Sequence, residues 1–199
     1  MRVAAAIVAG GKASRLGGIA KGLLGADSGL SIVGRLIAEL TAAGIAEIVI
    51  SANDPEPYTI FARPIIADEH REIGPLGGIE AVLQHLAPGC DCVLLLPCDL
   101  PNITVQEILE LLRVHQTAPD RVVVASTAQG EQPLCAVVPV NVLPAVSAAI
   151  ASGSYGVGRL WRSLAAVKAP LDDSSRLLNI NTPEDLREWR ESLGQAGKD

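Results

Sequence analysis

The sequence predicts an α/β fold with a largely parallel sheet, built as a single domain. Short apolar segments that are typical of buried strands alternate with segments whose apolar residues recur at helical spacing. Such alternation favours parallel strands that are connected through helices. No repeat, low-complexity stretch or long linker divides the chain, and 199 residues, of which 49% are hydrophobic, suffice for one domain with a substantial core.

The first half of the chain is predicted to contain three strands and two helices. The strands are residues 3–9, 47–52 and 64–68. Between the first two strands, apolar residues recur at helical spacing from Ile32 to Leu40, and Gly44 follows as a stop signal. A glycine-rich loop at residues 74–78 precedes a second amphipathic helix, which ends near Leu86.

The second half is predicted to add four strands and four helices. The strands are residues 92–97, 122–126, 133–138 and 166–170, the last of them at the sheet edge. Thr104 and Glu107 have the spacing of a capping box, which opens a helix through Leu112. Two further helices are expected at residues 141–152 and 158–164. Thr182 and Pro183 open the last helix, and the domain is predicted to span residues 1–193, with a frayed tail at 194–199.

The composition argues against two classes of partner. A net charge of −6 does not suit nucleic acid, which is bound by basic surfaces. A local group of cations can still bind a small polyanion, because salt screens charges beyond about 8 Å. No apolar run reaches the ~18 residues of a membrane span, and no signal peptide is visible. We therefore expect a cytoplasmic protein without nucleic acid or membrane partners.

The cysteines are expected to be structural. Cys90, Cys92, Cys98 and Cys135 match no common zinc-binding spacing. In a chain without a secretion signal, such residues are typically reduced and buried as small apolar side chains. A thiol redox or metal-binding protein is the less favoured alternative.

The first loop has the composition of a phosphate site. Ligands in parallel α/β sheets bind beyond the carboxyl ends of the strands, where this loop, Gly10–Gly22, lies. It is not a Walker A loop, because Ala13 follows the Gly-Lys pair. Glycines let backbone N–H groups bind an anion, and Arg15 and Lys21 add positive charge. The alternative is a solvated surface loop.

Two other features are expected at the same edge of the sheet. Asp99 directly follows an apolar strand, and a carboxylate there suits Mg²⁺, which a triphosphate requires. The alternative is a turn aspartate between Pro97 and Pro101. Asn179 and Asn181 occupy alternate positions, which would point their amides to one side of an extended segment.

Five groups of residues together resemble the molybdenum cofactor guanylyltransferases, a family of small nucleotidyltransferases. Their order and spacing match over nearly the whole chain. They are Val8-Ala9-Gly10-Gly11 with Ser14-Arg15-Leu16-Gly17 and Lys21-Gly22-Leu23-Leu24, then Gly74-Pro75-Leu76-Gly77-Gly78-Ile79, Pro97-Cys98-Asp99-Leu100-Pro101, Gln132-Pro133-Leu134 and Asn179-Ile180-Asn181-Thr182-Pro183-Glu184-Asp185-Leu186.

The resemblance implies a Rossmann-like three-layer α/β sandwich and a Mg²⁺-dependent transferase. In this family, the terminal phosphate of molybdenum-bearing molybdopterin attacks the α-phosphate of GTP, and pyrophosphate leaves. The implied partners are therefore GTP and the molybdopterin cofactor. Other cofactor-assembly proteins and apo-molybdoenzymes are further candidates that the resemblance leaves open.

The resemblance also implies roles for single residues. Those implied to be catalytic are Arg15, Lys21 and Asp99, with Asp99 also the metal ligand. Positions implied to contact the nucleotide are Val8, Ala9, Gly10, Gly11, Lys21, Ser51, Asp68 and Asp99. Positions implied to belong to the substrate or active-site loops are Gly18, Gly78, Asn179 and Asn181.

Three departures from the family pattern leave the base and the acceptor open. Ala20 replaces an acid, Ser51 an asparagine and Gln132 a histidine. One alternative is a related enzyme with another base or acceptor, such as cytidylyl transfer to the same pterin. Another is a non-catalytic nucleotide-binding protein of cofactor assembly. The Ala-Gly-Gly stretch favours guanylyl transfer, and the presence of both Lys21 and Asp99 favours catalysis.

Overall fold

The central layer of the protein is a seven-stranded sheet. The computed structural model describes residues 1–10, 15–16, 19–25 and 29–196, and the side chains of these residues other than 15–16 and 193–196. The strands are β1 (Val3–Val8), β2 (Arg15–Leu16), β3 (Ile19–Ala20), β4 (Ile48–Ser51), β5 (Ile65–Ile66), β6 (Cys92–Pro97), β7 (Val123–Thr127), β8 (Gly130–Pro139) and β9 (Val167–Pro170). The short strands β2 and β3 pair with each other in a separate two-stranded sheet.

Helices connect most of these strands, and α3 and α6 begin at the predicted capping signals. They are α1 (Ile32–Ala42), α2 (Pro75–Leu86), α3 (Val105–Thr117), α4 (Leu143–Ala151), α5 (Val157–Ser163) and α6 (Pro183–Ala196). The Glu107 carboxylate accepts a hydrogen bond from the Thr104 backbone N–H at 2.9 Å, which caps α3. The Thr182 hydroxyl accepts one from the Asp185 N–H at 3.1 Å, which caps α6.

The sheet is mostly parallel, as predicted. Its order is β5-β4-β1-β6-β8-β7-β9, and only β8 runs antiparallel to its neighbours, β6 and β7. The carboxyl ends of β1, β4, β5 and β6 therefore meet at one edge of the sheet, which we name the carboxyl edge. Because β8 is reversed, its first residues lie at this edge as well.

Both faces of the sheet are covered by helices, which gives the predicted three-layer sandwich. On β1, the side chains of Ala5 and Ile7 belong to a core that includes residues of α1, α3 and α6. Those of Ala4, Ala6 and Val8 belong to a second core with residues of α2, α4 and α5. Burial on both faces explains why the strands are continuous apolar runs instead of alternating ones.

Two segments that we predicted to be loops contain regular structure. Gly10–Gly22 includes the β2–β3 pair and the start of a 3₁₀ turn at Lys21–Leu23. The prediction of a loop at residues 74–78 is wrong beyond Gly74, because α2 begins at Pro75. Proline suits the first helical position, where no N–H partner is available. The packing of the two following glycines, described below, outweighs their low helix propensity.

Several predicted boundaries shift by a few residues. The third strand is limited to Ile65–Ile66, and α3 continues beyond Leu112 to Thr117. The last helix is described through Ala196, and residues 197–199 lie outside the described part of the chain. The domain boundary at residue 193 stays a prediction.

The cysteines are buried and free, as expected. Burial raises the pKa of Cys92, Cys98 and Cys135 to about 12, so these thiols remain protonated and unreactive near neutral pH. None of the helices described here is long and apolar enough to cross a membrane.

Candidate active site

A cleft of about 480 Å³ opens at the carboxyl edge, beside the ends of β1, β4 and β5. This volume is typical of small-molecule sites. The lining residues come from the end of β1, the end of β3, the end of β4 with the segment after it, and the segment from Asp68 to the first turn of α2. Six residues that we predicted for the site line the cleft: Val8, Ala9, Gly10, Ser51, Asp68 and Gly78.

Two hydrogen bonds to Asn53 hold Asp68 in this cleft. Asn53 Nδ2 donates to Asp68 Oδ2 at 3.0 Å, and the Asp68 backbone N–H donates to Asn53 Oδ1 at 2.9 Å. The other carboxylate oxygen, Asp68 Oδ1, is buried and has no hydrogen-bond partner among the described residues. Burial raises the pKa of Asp68, against the opposing effects of Asn53 and Arg71. A fixed, partnerless oxygen is suited to accept a hydrogen bond from a ligand hydroxyl or amino group.

The first turn of α2 approaches the cleft through two glycines. A Cβ on Gly78 would lie 2.5 Å from Ser51 Oγ and 3.0 Å from Asp68 Oδ1, so a larger residue would displace both side chains. A Cβ on Gly77 would lie 2.6 Å from the backbone oxygen of His70. The two glycines therefore allow α2 to pack directly against the segments that form the cleft.

Gly77→Ala is expected to lower the free energy of unfolding by about 1–3 kcal/mol, the usual cost of overpacking. The added methyl group would meet the backbone oxygen of His70, which cannot rotate away as a side chain can. Gly89→Ala is the matched control, because its nearest non-local atoms would lie 3.7 Å from the new Cβ. Chemical denaturation measures both variants, and equal stabilities would contradict the close contact at Gly77.

Lys21 is buried at the same edge, with only 5% of its surface exposed. The turn that carries it packs closely against α1 and the end of β6. A Cβ on Gly22 would lie 2.6 Å from Val33 Cγ2 and 3.4 Å from Cys98 Cβ. Glycine at position 22 thus allows the turn to approach Cys98, so that Lys21 lies beside Asp99, the next residue.

Lys21, Asp99 and Asn181 form a polar cluster in which Lys21 is buried, Asp99 is half-buried and Asn181 is exposed. Lys21 Nζ donates a hydrogen bond to Asn181 Oδ1 at 2.7 Å and lies 3.9 Å from Asp99 Oδ2. The backbone N–H of Ile180 donates to the Asp99 backbone oxygen at 2.9 Å, which joins the segment before α6 to the end of β6. A buried ammonium group needs such acceptors, because its desolvation is costly. We name these three residues the lysine cluster.

Asp99 retains an acceptor that the protein does not use. Burial raises the pKa of Asp99, although the Lys21 ammonium opposes this shift. Asp99 Oδ1 is buried and makes no hydrogen bond to any described residue. The described part of the chain contains no group of three acidic, histidine or cysteine side chains that could hold a metal. Since Mg²⁺ commonly binds one or two carboxylates together with substrate phosphates, a single free carboxylate oxygen fits an ion that arrives with a nucleotide.

Asn179 and Asn181 flank the buried Ile180, and a shared side for their two amides stays a prediction. Gln132 Nε2, at the start of β8, donates to Asn179 Oδ1 at 2.8 Å. The Asp185 carboxylate accepts from the Asn181 backbone N–H at 2.8 Å. Both asparagines are thus fixed by contacts with separate elements.

The structure brings the predicted residues into two adjacent groups, the cleft and the lysine cluster. Two links connect the groups. Ala20, which lines the cleft, directly precedes Lys21. The backbone N–H of Cys98, next to Asp99, donates to the backbone oxygen of Val8 in the cleft at 3.0 Å. Gly11 and Gly18 lie outside the described residues, as does the side chain of Arg15. The roles predicted for all of these residues stay predictions.

Sequence reasoning did not single out Asn53. A usable signal was present, because Asn53 lies two residues after Ser51, just beyond the end of β4. Polar residues beyond strand ends are where ligands bind in such sheets, and alternate positions of an extended segment share one side.

Comparison with known proteins finds relatives over almost the full length of the chain. A family model described as MobA-like NTP transferase domain matches residues 5–168. The chain is 35% identical to a molybdenum cofactor guanylyltransferase of Vibrio cholerae over 186 residues, which are 92% of this chain and 89% of that protein. It is 32% identical to one of Cereibacter sphaeroides, with 94% of each chain covered. The crystal structure of molybdopterin-guanine dinucleotide biosynthesis protein A from Archaeoglobus fulgidus has the same fold, with a TM-score of 0.77, 20% identity and coverage of 96% of this chain and 98% of that one.

Proposed function

Because the chain belongs to the MobA-like NTP transferase domain family, whose members are nucleotidyltransferases, we propose that it transfers GMP from GTP to molybdopterin. The acceptor atom is an oxygen of the terminal phosphate of molybdenum-bearing molybdopterin. That oxygen forms a bond to the α-phosphorus of GTP while the bond from the α-phosphorus to the bridging oxygen breaks, and pyrophosphate leaves.

The lysine cluster is the observation that carries this proposal. It lies at the carboxyl edge, next to a cleft large enough for a nucleoside. A buried ammonium beside a partnerless carboxylate oxygen provides both the cation and the metal ligand that a triphosphate needs. Curated relatives at 32–35% identity over nearly the whole chain support GTP and molybdopterin as the substrates.

Asp99 is the residue that would hold Mg²⁺, with Oδ1 as the available ligand atom. When bound, the ion would supply positive charge to the phosphate oxygens and polarise the α-phosphorus. We propose Mg²⁺ in preference to a softer metal, because a carboxylate with phosphate oxygens is a hard, all-oxygen donor set.

The cleft and the lysine cluster contact different parts of the nucleotide. The cleft binds the nucleoside, where Asp68 Oδ1 accepts a hydrogen bond from a hydroxyl or amino group. Lys21 stabilises the negative charge that accumulates on the departing pyrophosphate, as a fixed cation does in phosphoryl transfer. Two further predicted contributions are those of Arg15 and of the backbone N–H groups around Gly11, which would bind the β- and γ-phosphates.

The proposed reaction requires no strong general base. A phosphate monoester has its second pKa near 6, so the acceptor oxygen is already anionic at neutral pH. Catalysis then depends on positioning the two substrates and on stabilising charge, which the buried Lys21 ammonium, held by its hydrogen bond to Asn181, supports.

Pyrophosphate release tests the proposed function. The protein is mixed with MgCl₂, molybdenum-bearing molybdopterin and one nucleotide at a time. The expected result is release that requires the acceptor and is faster with GTP than with CTP, ATP or UTP. Faster release with CTP would assign cytidylyl transfer, which the Ser51 departure keeps open. GTP binding without any release would favour the non-catalytic alternative.

Asn53→Leu is expected to weaken GTP binding by about tenfold, because it removes both hydrogen bonds that orient the Asp68 carboxylate. Isothermal calorimetry at constant pH measures the dissociation constant. Asn141→Leu is the matched control, since Asn141 is exposed just beyond the far end of β8 and its side chain donates a hydrogen bond to the exposed Asp120 at 3.5 Å. Equal dissociation constants for both variants would contradict a role for Asn53 in the cleft.

We further propose that the reaction takes place in the cytoplasm, which the four free, buried thiols support. The product is a cofactor, so apo-molybdoenzymes and other cofactor-assembly proteins are the candidate partners for its delivery. Pull-down with the purified protein, in the presence and absence of GTP and molybdopterin, tests these partners directly.

A further inference from the structure

Successive side chains at the start of β8 point to alternate faces of the sheet. Gln132 reaches Asn179, whereas its neighbours Glu131 and Pro133 line a separate cavity of about 190 Å³ beside α5 and β9. This alternation follows from the pleat of the strand. Because β8 runs antiparallel to its neighbours, its first residues lie at the carboxyl edge.

Contacts on the opposite face fix the backbone around Gln132. Trp161 Nε1 donates a hydrogen bond to the Pro133 backbone oxygen at 2.9 Å, and Trp161 is 2% exposed. Glu131 pairs with Lys168 of β9 at 2.8 Å. With the strand held on both sides of Gln132, its side chain leaves the sheet in a defined direction.

The hydrogen bond from Gln132 determines which end of the Asn179 amide remains available. Gln132 Nε2 donates to Asn179 Oδ1, so the Asn179 Nδ2 group is the end left to donate. Asn181 is arranged in the same way, because its Oδ1 accepts from the Lys21 ammonium. Both asparagine amides therefore keep their Nδ2 groups as donors, and Asn181 carries its donor beside the Lys21 ammonium. Such a set of neutral and cationic donors suits a phosphate group.

We propose that Gln132 is a positioning residue for the acceptor substrate. It holds the Asn179 amide so that Nδ2 donates to the terminal phosphate of the acceptor, while the nucleotide occupies the cleft on the other side of the lysine cluster. This inference rests on the proposed function. The amide of Gln132 carries no charge and does not titrate, so it orients Asn179 without adding a charge beside the incoming phosphate.

Gln132→Leu is expected to raise KM for molybdopterin by about tenfold, the scale of one misdirected hydrogen bond to a charged group. KM for GTP and the calorimetric dissociation constant of GTP are expected to stay within twofold of the wild-type values. Gln132→His, which can again donate from a ring N–H, is expected to recover part of the loss. A role limited to fold stability would instead lower the melting temperature without this separation of the two KM values.

Gln129→Leu is the matched control, because Gln129 is exposed in the same β-hairpin, where its side chain accepts a hydrogen bond from the Thr127 hydroxyl. An unchanged KM for molybdopterin in both Gln132→Leu and Gln132→His, with an active wild type, overturns the inference and leaves the proposed function intact. A wild-type protein that binds GTP but releases no pyrophosphate with molybdopterin overturns the proposed function, and the inference with it.

Discussion

Lys21→Met is expected to lower kcat/KM for GTP by about 10²–10³, the usual effect of losing one electrostatic contact to a transition state. The ammonium is buried and lies 3.9 Å from Asp99, and methionine supplies no charge in its place. Methionine has a similar length and is apolar, which limits the cavity that the substitution leaves. Steady-state pyrophosphate release gives kcat and KM separately.

The control for this substitution is Arg113→Met, which removes an exposed cation that pairs with Glu110 on α3. It is expected to leave turnover unchanged, because surface ion pairs contribute little and this one is far along the helix from the site. Wild-type rates in Lys21→Met would exclude Lys21 from the stabilisation of the leaving pyrophosphate.

Asp99→Asn is the second substitution with a large expected effect. It is expected to reduce turnover by about 10²–10³ and to remove most of the stimulation by MgCl₂. Asparagine keeps the size of the side chain but not its charge, so the partnerless Oδ1 position no longer attracts a divalent cation. It also leaves the buried Lys21 without its neighbouring carboxylate. Turnover measured against MgCl₂ concentration separates a loss of metal affinity from a loss of maximal rate.

Asp91→Asn provides a matched control for Asp99→Asn. Asp91 immediately precedes β6, at the opposite end of the strand from Asp99, and is exposed and paired with Arg2. Its replacement is expected to leave both the rate and the MgCl₂ dependence unchanged. An Asp99→Asn variant with the wild-type MgCl₂ profile would remove Asp99 as the metal ligand.

Much of the architecture could be predicted from the sequence, because burial on both faces of the sheet produces continuous apolar runs. The strand at Cys92–Pro97 was predicted with its observed bounds for this reason. Capping residues such as Thr104 and Thr182 also act locally, within one helical turn. Residue order alone does not specify that β8 is antiparallel, since strand direction depends on pairing with β6 and β7.

The site was less predictable, because its contacts join distant parts of the chain. Lys21 and Asn181 are 160 residues apart, and no local pattern indicates that one donates to the other. The bond between Gln132 and Asn179 likewise spans 47 positions. The start of α2 was misinterpreted because glycine usually weakens helices, whereas here Gly78 is required by the closeness of Ser51 and Asp68.

Calorimetric titration of the wild type and Asp99→Asn with GTP, CTP, ATP and UTP, each with and without MgCl₂, tests the central claim most directly. That claim is that the cleft and the lysine cluster together form a metal-dependent guanine nucleotide site. We expect the wild type to bind GTP most tightly, with an affinity that increases with MgCl₂ and loses this dependence in Asp99→Asn. Failure of the folded wild type to bind any of the four nucleotides, or GTP binding that is indifferent to both MgCl₂ and Asp99, would contradict the account.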